Sequence, residues 1–195
     1  MKNSNLLKLK ILFFITFSLL AYSSGCQNQV DWEIVMFYNT ENLFDTQDDP
    51  NTNDNQFLPD GEKHWNFKRL QKKLNRIFQV IVASGEGKLP AIIGLCEVEN
   101  NIVLELLLNK TPLGKLGYKY IHKDSPDRRG IDVALLYNIN SFTPISYRFI
   151  TVSSDERPLK TRDILYVKGI MHKDTFHFYI NHWPSKYGGA IQTKE

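Results

Sequence analysis

Three apolar runs each end in a polar group able to serve metal or phosphate chemistry. They are Asn39 after "EIVMFY", Glu97 after "PAIIGLC", and Asn181 with His182 after "TFHFYI". Glu97 and Asn39 offer one carboxylate and one amide oxygen, hard ligands of the kind Mg²⁺ takes while keeping several of its waters. A histidine such as His182 can hydrogen-bond or protonate an ester oxygen, and an arginine such as Arg162 holds phosphate oxygens through two parallel bonds. The combination predicts phosphoester hydrolysis at a divalent metal. Zinc is disfavoured, because His64, His122, His172, His177 and His182 show no paired ligand spacing and no cysteines accompany them. Each polar strand end, taken alone, also reads as the start of an ordinary loop.

For these groups to act together, the chain must carry them to one edge. Residues 32–39 are aromatic and β-branched and read as a strand ending at Asn39. Residues 45–62 are acidic, rich in Asn and Pro and without a period, which predicts a long surface loop. Leu70, Leu74, Ile77, Phe78, Ile81 and Val82 recur at helical spacing, with Asn66 as N-cap and Gly85 as stop. The basic residues of that helix, Lys68, Arg69, Lys72, Lys73 and Arg76, read as its solvated face. Residues 90–96 read as a strand buried on both faces, followed by a short helix from about Asn101 to Asn109. Further strands are expected at 118–122, 131–137, 147–152, 164–170 and 175–181. The turn "HKDT" at 172–175 folds the last two into a hairpin, which sets Arg162 and Asp163 beside His182. If the strands ending at Asn39, Glu97 and His122 share a direction, these groups and the loop 123–130 gather on one rim. The architecture expected is α+β: a mixed sheet with helices on its outer face.

A hydrophobic content of 42% over 195 residues is enough for one buried core and argues against disorder or a fibre. Residues 1–25 read as an export signal, with Lys2, Lys8 and Lys10 ahead of the uncharged stretch 11–22. That stretch is shorter than the ~20 residues needed to span a bilayer. The signal closes in "SSGC", which resembles the lipobox of bacterial lipoproteins and implies lipidation of Cys26; cleavage without lipidation is the alternative. A lipidated Cys26 leaves Cys96 with no partner, so a disulfide framework is excluded. The formal charge of +3 overstates attraction to polyanions: three of the 24 basic residues lie in the signal, leaving 21 against 21 acidic ones. Nothing global therefore favours nucleic acid.

In chain order, "FYNTENLFD" (37–45), "GLCEVEN" (94–100), "RRGIDVALLY" (128–137), "TRDIL" (161–165) and "NHWPSKYGG" (181–189) resemble the successive signatures of the endonuclease/exonuclease/phosphatase superfamily. The resemblance covers residues 31–189. It implies a deoxyribonuclease I-like four-layer α/β sandwich and Mg²⁺- or Mn²⁺-dependent cleavage of phosphodiester or phosphomonoester bonds by an activated water. Position by position, it implies that Asn39 and Glu97 belong to the metal site, with Glu97 as direct ligand. It implies that His182, helped by Asn181, faces the scissile phosphate, and that Arg162 and Arg129 bind phosphate. Asp132 is left open between a functional and a rim role. Glu41 and Glu99 are expected to support a metal ligand from behind or to hold a loop rather than to touch the metal, and Tyr187 to pack.

The family's sequences finish with a Gly-Asp-x-Asn segment and a terminal Ser/Asp-His pair, and neither follows Gly189. The expectation is therefore an exported domain, residues 26–195, incomplete at its C-terminus and inactive as this chain. The alternatives are a non-catalytic lipoprotein that binds through the remaining rim, and an enzyme completed by another polypeptide. Export suits scavenging of nucleic acid or phospholipid headgroups better than repair.

Overall fold

A computed structural model describes residues 32–85, 87–153 and 159–183. The chain divides into two compact units, Met1–Trp32 and Glu33–Glu195. The second unit carries all the helices and strands named here. The expected signal, Cys26 and Tyr187 lie outside the described residues.

Its elements are β1 (Val35–Leu43), a single 3-10 turn (Asn55–Phe57), α1 (Phe67–Ala83), β2 (Ile92–Val98), α2 (Asn101–Lys110), β3 (Tyr118–His122), β4 (Asp132–Asn138), β5 (Phe142–Ile150), β6 (Ile164–Met171) and β7 (Asp174–Ile180). Both helices start where side chains satisfy free amides: Asn66 accepts from the Arg69 N–H, and Asn100 from the Val103 N–H. Helix α1 buries Leu70, Leu74, Ile77 and Ile81, its expected apolar face.

One sheet has the order β1-β2-β4-β3, the other β5-β6-β7. β1 runs parallel to β2, while β4 is antiparallel to both β2 and β3. The ends of β1, β2 and β3 therefore point the same way, as the gathering of polar groups required. In β2, Ile93 and Leu95 face the helices, whereas Ile92 and Cys96 face the second sheet. In β4, Ala134 and Leu136 take the helix side and Val133 and Leu135 the sheet side. The helix-side core is completed by both helices, and the sheet-side core by Phe142, Leu165, Val167 and Ile180. Helix, sheet and sheet are thus the three layers formed by the described residues. The outer face of β5-β6-β7 leaves Ile170 and Tyr179 exposed.

Three expectations change. β1 continues past Asn39 to Leu43, and β2 runs to Val98, so Asn39 and Glu97 sit within strands rather than after them. β5 spans Phe142–Ile150, starting five residues before the expected strand, because Phe142 packs across Gly169 of the next strand. The acidic loop after β1 is also not purely superficial: Asp45 and Asp54 are buried.

Candidate active site

Glu97 reaches the rim through a break in the alternation of β2. Cys96 pairs with Val133 and Val98 pairs with the adjacent Asp132, so Glu97 is an extra residue in the ladder. Its φ of 61° lies in the left-handed region, which costs a non-glycine residue free energy and is held by surrounding contacts. Such a bulge re-aims a side chain. Without it, Glu97 would fall on the helix-facing side with Leu95, inside an apolar core. The Thr40 hydroxyl, buried across the strand pair, lies 2.9 Å from the Cys96 carbonyl and 2.8 Å from the Glu97 carbonyl. It fixes the turned peptide from the side of β1.

Around the carboxylate, three expected residues meet. Asn39 Nδ2 donates to Glu97 Oε1 at 3.3 Å, and His182 Nε2 stands 3.2 Å from the same oxygen. Burial, then the nearby Arg162 guanidinium, hold the His182 ring below its ordinary pKa, against the opposing pull of Glu97. The ring is therefore neutral at pH 7, and its Nε2–H donates to Glu97. Asn39 Oδ1 accepts from the Glu41 N–H at 2.8 Å. Among the described residues, every side-chain contact of Glu97 falls on Oε1. Oε2 and the second lone pair of Asn39 Oδ1 are hard-oxygen donors of the kind Mg²⁺ or Mn²⁺ takes, and the Asn39 amide, which now turns Nδ2 to Glu97, would turn Oδ1 to such an ion.

Arg162 precedes β6 as His182 follows β7, and the pairing of Leu165 with Ile180 brings the two ends together. Its side chain is buried, with Nε 3.4 Å from Asp127 Oδ2, and burial lowers its pKa first of all. Asp127 carries no sequence signal of its own, yet it is the carboxylate that accompanies Arg162. Arg129 is half-exposed, with Nε 3.8 Å from Asp127 Oδ1. Asn181 is placed next to His182, with its side chain in no contact that defines a role. Asp132 is buried rather than a charged rim residue; Ser125 donates to its Oδ1 through both backbone N–H and hydroxyl. Glu99 holds a loop, as expected: its Oε2 accepts from the Asp45 N–H at 2.6 Å. Burial pushes its carboxyl up to about 8, with Asp45, Asp54 and Asp49 adding to the rise.

Beside the rim lies a cleft of about 570 Å³ lined by Thr40, Glu41, Lys63, Arg69, Lys72 and Lys73, among others. The basic face of α1 is thus not simply solvated. Lys73 donates to the Glu41 carbonyl at 2.8 Å, and burial lowers its pKa.

A family model described as "Endonuclease/Exonuclease/phosphatase family" matches residues 34–195. No curated protein matches the chain. Among solved structures, the human Nocturnin catalytic domain with bound sulfate is similar at 19% identity and a TM-score of 0.42, over 56% of this chain and 40% of that one. ANGEL2, a 2′,3′-cyclic phosphatase in complex with adenosine-2′,3′-vanadate, gives 16% identity and 0.46, over 69% and 36%. An endonuclease/exonuclease/phosphatase from Bacteroides vulgatus gives 14% and 0.42, over 72% and 48%. The matches therefore span less than half the length of each of these structures.

Proposed function

The chain belongs to the endonuclease/exonuclease/phosphatase family, a family of hydrolases, and from that premise we propose that its rim serves metal-dependent hydrolysis of phosphoesters. The carrying observation is the meeting of Asn39, Glu97 and His182 at Glu97 Oε1, two from strands of the first sheet and one from the segment that follows a strand of the second. Glu97 and Asn39 would hold a Mg²⁺ or Mn²⁺ ion. When bound, such an ion polarises a phosphoryl oxygen and stabilises developing charge. Arg162, kept charged beside Asp127, binds and orients the phosphate oxygens, with Arg129 at the exposed flank. His182, neutral in the free protein, can turn its Nε2–H from Glu97 to an ester oxygen and stabilise it by a hydrogen bond, and protonates that oxygen only after taking up a proton itself as imidazolium. Asn181 supports that contact.

The substrate class is a phosphodiester of nucleic-acid or phospholipid type; the balanced charge of residues 26–195 gives DNA no advantage over smaller esters. The site belongs to an exported protein anchored through a lipid on Cys26, which labelling of the source cells with a fatty-acid analogue tests by loss of label in Cys26→Ser. Among the described residues no helix is long and apolar enough to cross a membrane.

Mn²⁺ titration followed by electron paramagnetic resonance tests the metal site without needing turnover. The chain should take up Mn²⁺, Glu97→Gln should lose at least about tenfold in affinity, and equal uptake by both would overturn the reading. Assayed alone on plasmid DNA, a phosphomonoester and a phospholipid with Mg²⁺, residues 26–195 should show negligible turnover. Turnover abolished by Glu97→Gln would instead show that the groups of this chain suffice for catalysis.

A further inference from the structure

His122 closes β3 and Asp132 opens β4, so the two residues bracket the loop 123–131 that carries Asp127 to Arg162. The His122 side chain is fully buried. Its Nδ1 stands 2.9 Å from Oδ1 of Asn101, the first residue of α2. An amide oxygen only accepts, so Nδ1 bears the hydrogen and Nε2 of the neutral ring is a lone pair. That buried Nε2 has no hydrogen-bond partner among the described residues and faces Asp132 Oδ2 at 3.7 Å. Asp132 is 2% exposed, and its other oxygen is occupied by Ser125.

The buried Nε2, beside Asp132 Oδ2, forfeits the partner it had in water. At 3.7 Å the two atoms are too far apart for a hydrogen bond. A single ion with bonds of about 2.0–2.2 Å spans that gap. Ligand atoms of His122, Asp124 and Asp132 lie within 4.8 Å of one another; Asp124 Oδ1 stands 3.9 Å from Nδ1, and its exposed side chain must turn toward Nε2 to complete the set. Asp124 and Asp132 also line a cleft of about 490 Å³, which gives an ion access and room for water.

We propose that His122, Asp132 and Asp124 bind a divalent transition ion of the zinc type, distinct from the rim pair Asn39 and Glu97. One imidazole with carboxylates favours Zn²⁺ or Co²⁺ over Mg²⁺. The Asn101 contact supplies the outer hydrogen bond that orients a ligating histidine. The absence of paired histidine spacing is no obstacle, since the β3–β4 pairing brings together ligands separated by the loop. Bound there, the ion ties both ends of that loop and holds Asp127 against Arg162.

The test uses the metal-stripped chain carrying Glu97→Gln, so that the rim site does not contribute. Co²⁺ should bind once, with visible d–d bands and no sulfur charge-transfer band. His122→Gln should abolish binding, and Asp132→Asn and Asn101→Ala should each weaken it by about tenfold or more. Zn²⁺ should slow tryptic cleavage after Arg128 and Arg129, and not in His122→Gln. Undiminished Co²⁺ binding by His122→Gln, a sulfur band, or no binding at all would overturn the proposal. Should His122→Gln fail to fold by circular dichroism, ¹⁵N spectra of the His122 ring decide. A Zn²⁺-induced shift of Nε2 supports the site, and an unmoved resonance sinks it.

Discussion

At the scale of single residues, the site depends on groups that touch no substrate. Thr40 locks the peptide that turns Glu97 outward, through contacts with two backbone carbonyls. Thr40→Val keeps the shape but removes the one hydroxyl donor shared by those carbonyls, so it should cost about 1 kcal/mol in urea unfolding. It should also weaken Mn²⁺ uptake several-fold with Glu97 intact, and unchanged uptake would remove Thr40 from the positioning of Glu97. Asp127 is the second such residue. Asp127→Ala strands the buried Arg162 guanidinium, and breaking a buried pair costs about 3–5 kcal/mol. Because Glu97 and Asp132 also act on Arg162 electrostatically, the loss should fall nearer about 2–3 kcal/mol. A loss below about 0.5 kcal/mol would show that Asp127 does not hold Arg162. Cys96 is buried and inert: burial pushes its thiol up to about 11.

Among the elements, β6 shows how tightly the second sheet is fitted. A Cβ on Gly169 would stand 2.1 Å from Phe142 Cζ and 2.7 Å from the Thr143 carbonyl. Gly169→Ala must push β5 away, so it should destabilise by about 1–3 kcal/mol, read as a lower urea midpoint. A neutral substitution would mean that Phe142 has another rotamer to take. The junction of β3 with the start of β2 carries a pH dependence. Tyr118 donates to the Pro90 carbonyl at 2.6 Å, and burial raises its hydroxyl from 10.0 to about 12. A raised folded pKa means that the folded state keeps a proton which the unfolded chain releases. This contribution is therefore complete below pH 10 and lost as pH climbs from 10 to about 12. Tyr118→Phe should lower stability at pH 7 by about 1 kcal/mol and flatten the alkaline fall, and an equally steep fall in the variant would refute it.

For the whole molecule, the two sheets divide the proposed labour. The metal pair, Asn39 and Glu97, comes from β1 and β2, whereas the phosphate-facing Arg162 and His182 flank β6 and β7. The separation of the two groups is then set by the sheet-side core. Leu165→Ala in that core and Leu74→Ala in the helix-side core each remove a fully buried leucine and should cost about 2–5 kcal/mol. Only Leu165→Ala should weaken vanadate binding to the Mn²⁺-loaded chain. Equal weakening in both variants would show that general loosening, not sheet spacing, controls the site.

The element types, the N-cap Asn66, the two-faced apolar strand before Glu97, and the rim to which Asn39, Glu97, Arg162 and His182 come are all legible in the order of the amino acids. They rest on local rules: side-chain period, capping chemistry and the geometry of a short hairpin. How Glu97 escapes the core is settled only in the folded chain. Alternation assigns it to the helix-facing side, and only the bulge, with φ of 61° and the Thr40 contacts from a strand 57 residues away in sequence, turns it out. The pairing of Asp127 with Arg162 and the approach of His122 to Asp132 belong to the same class. Such partners are chosen by strand pairing between distant segments, and pairing is a property of the assembled sheet that no local window contains.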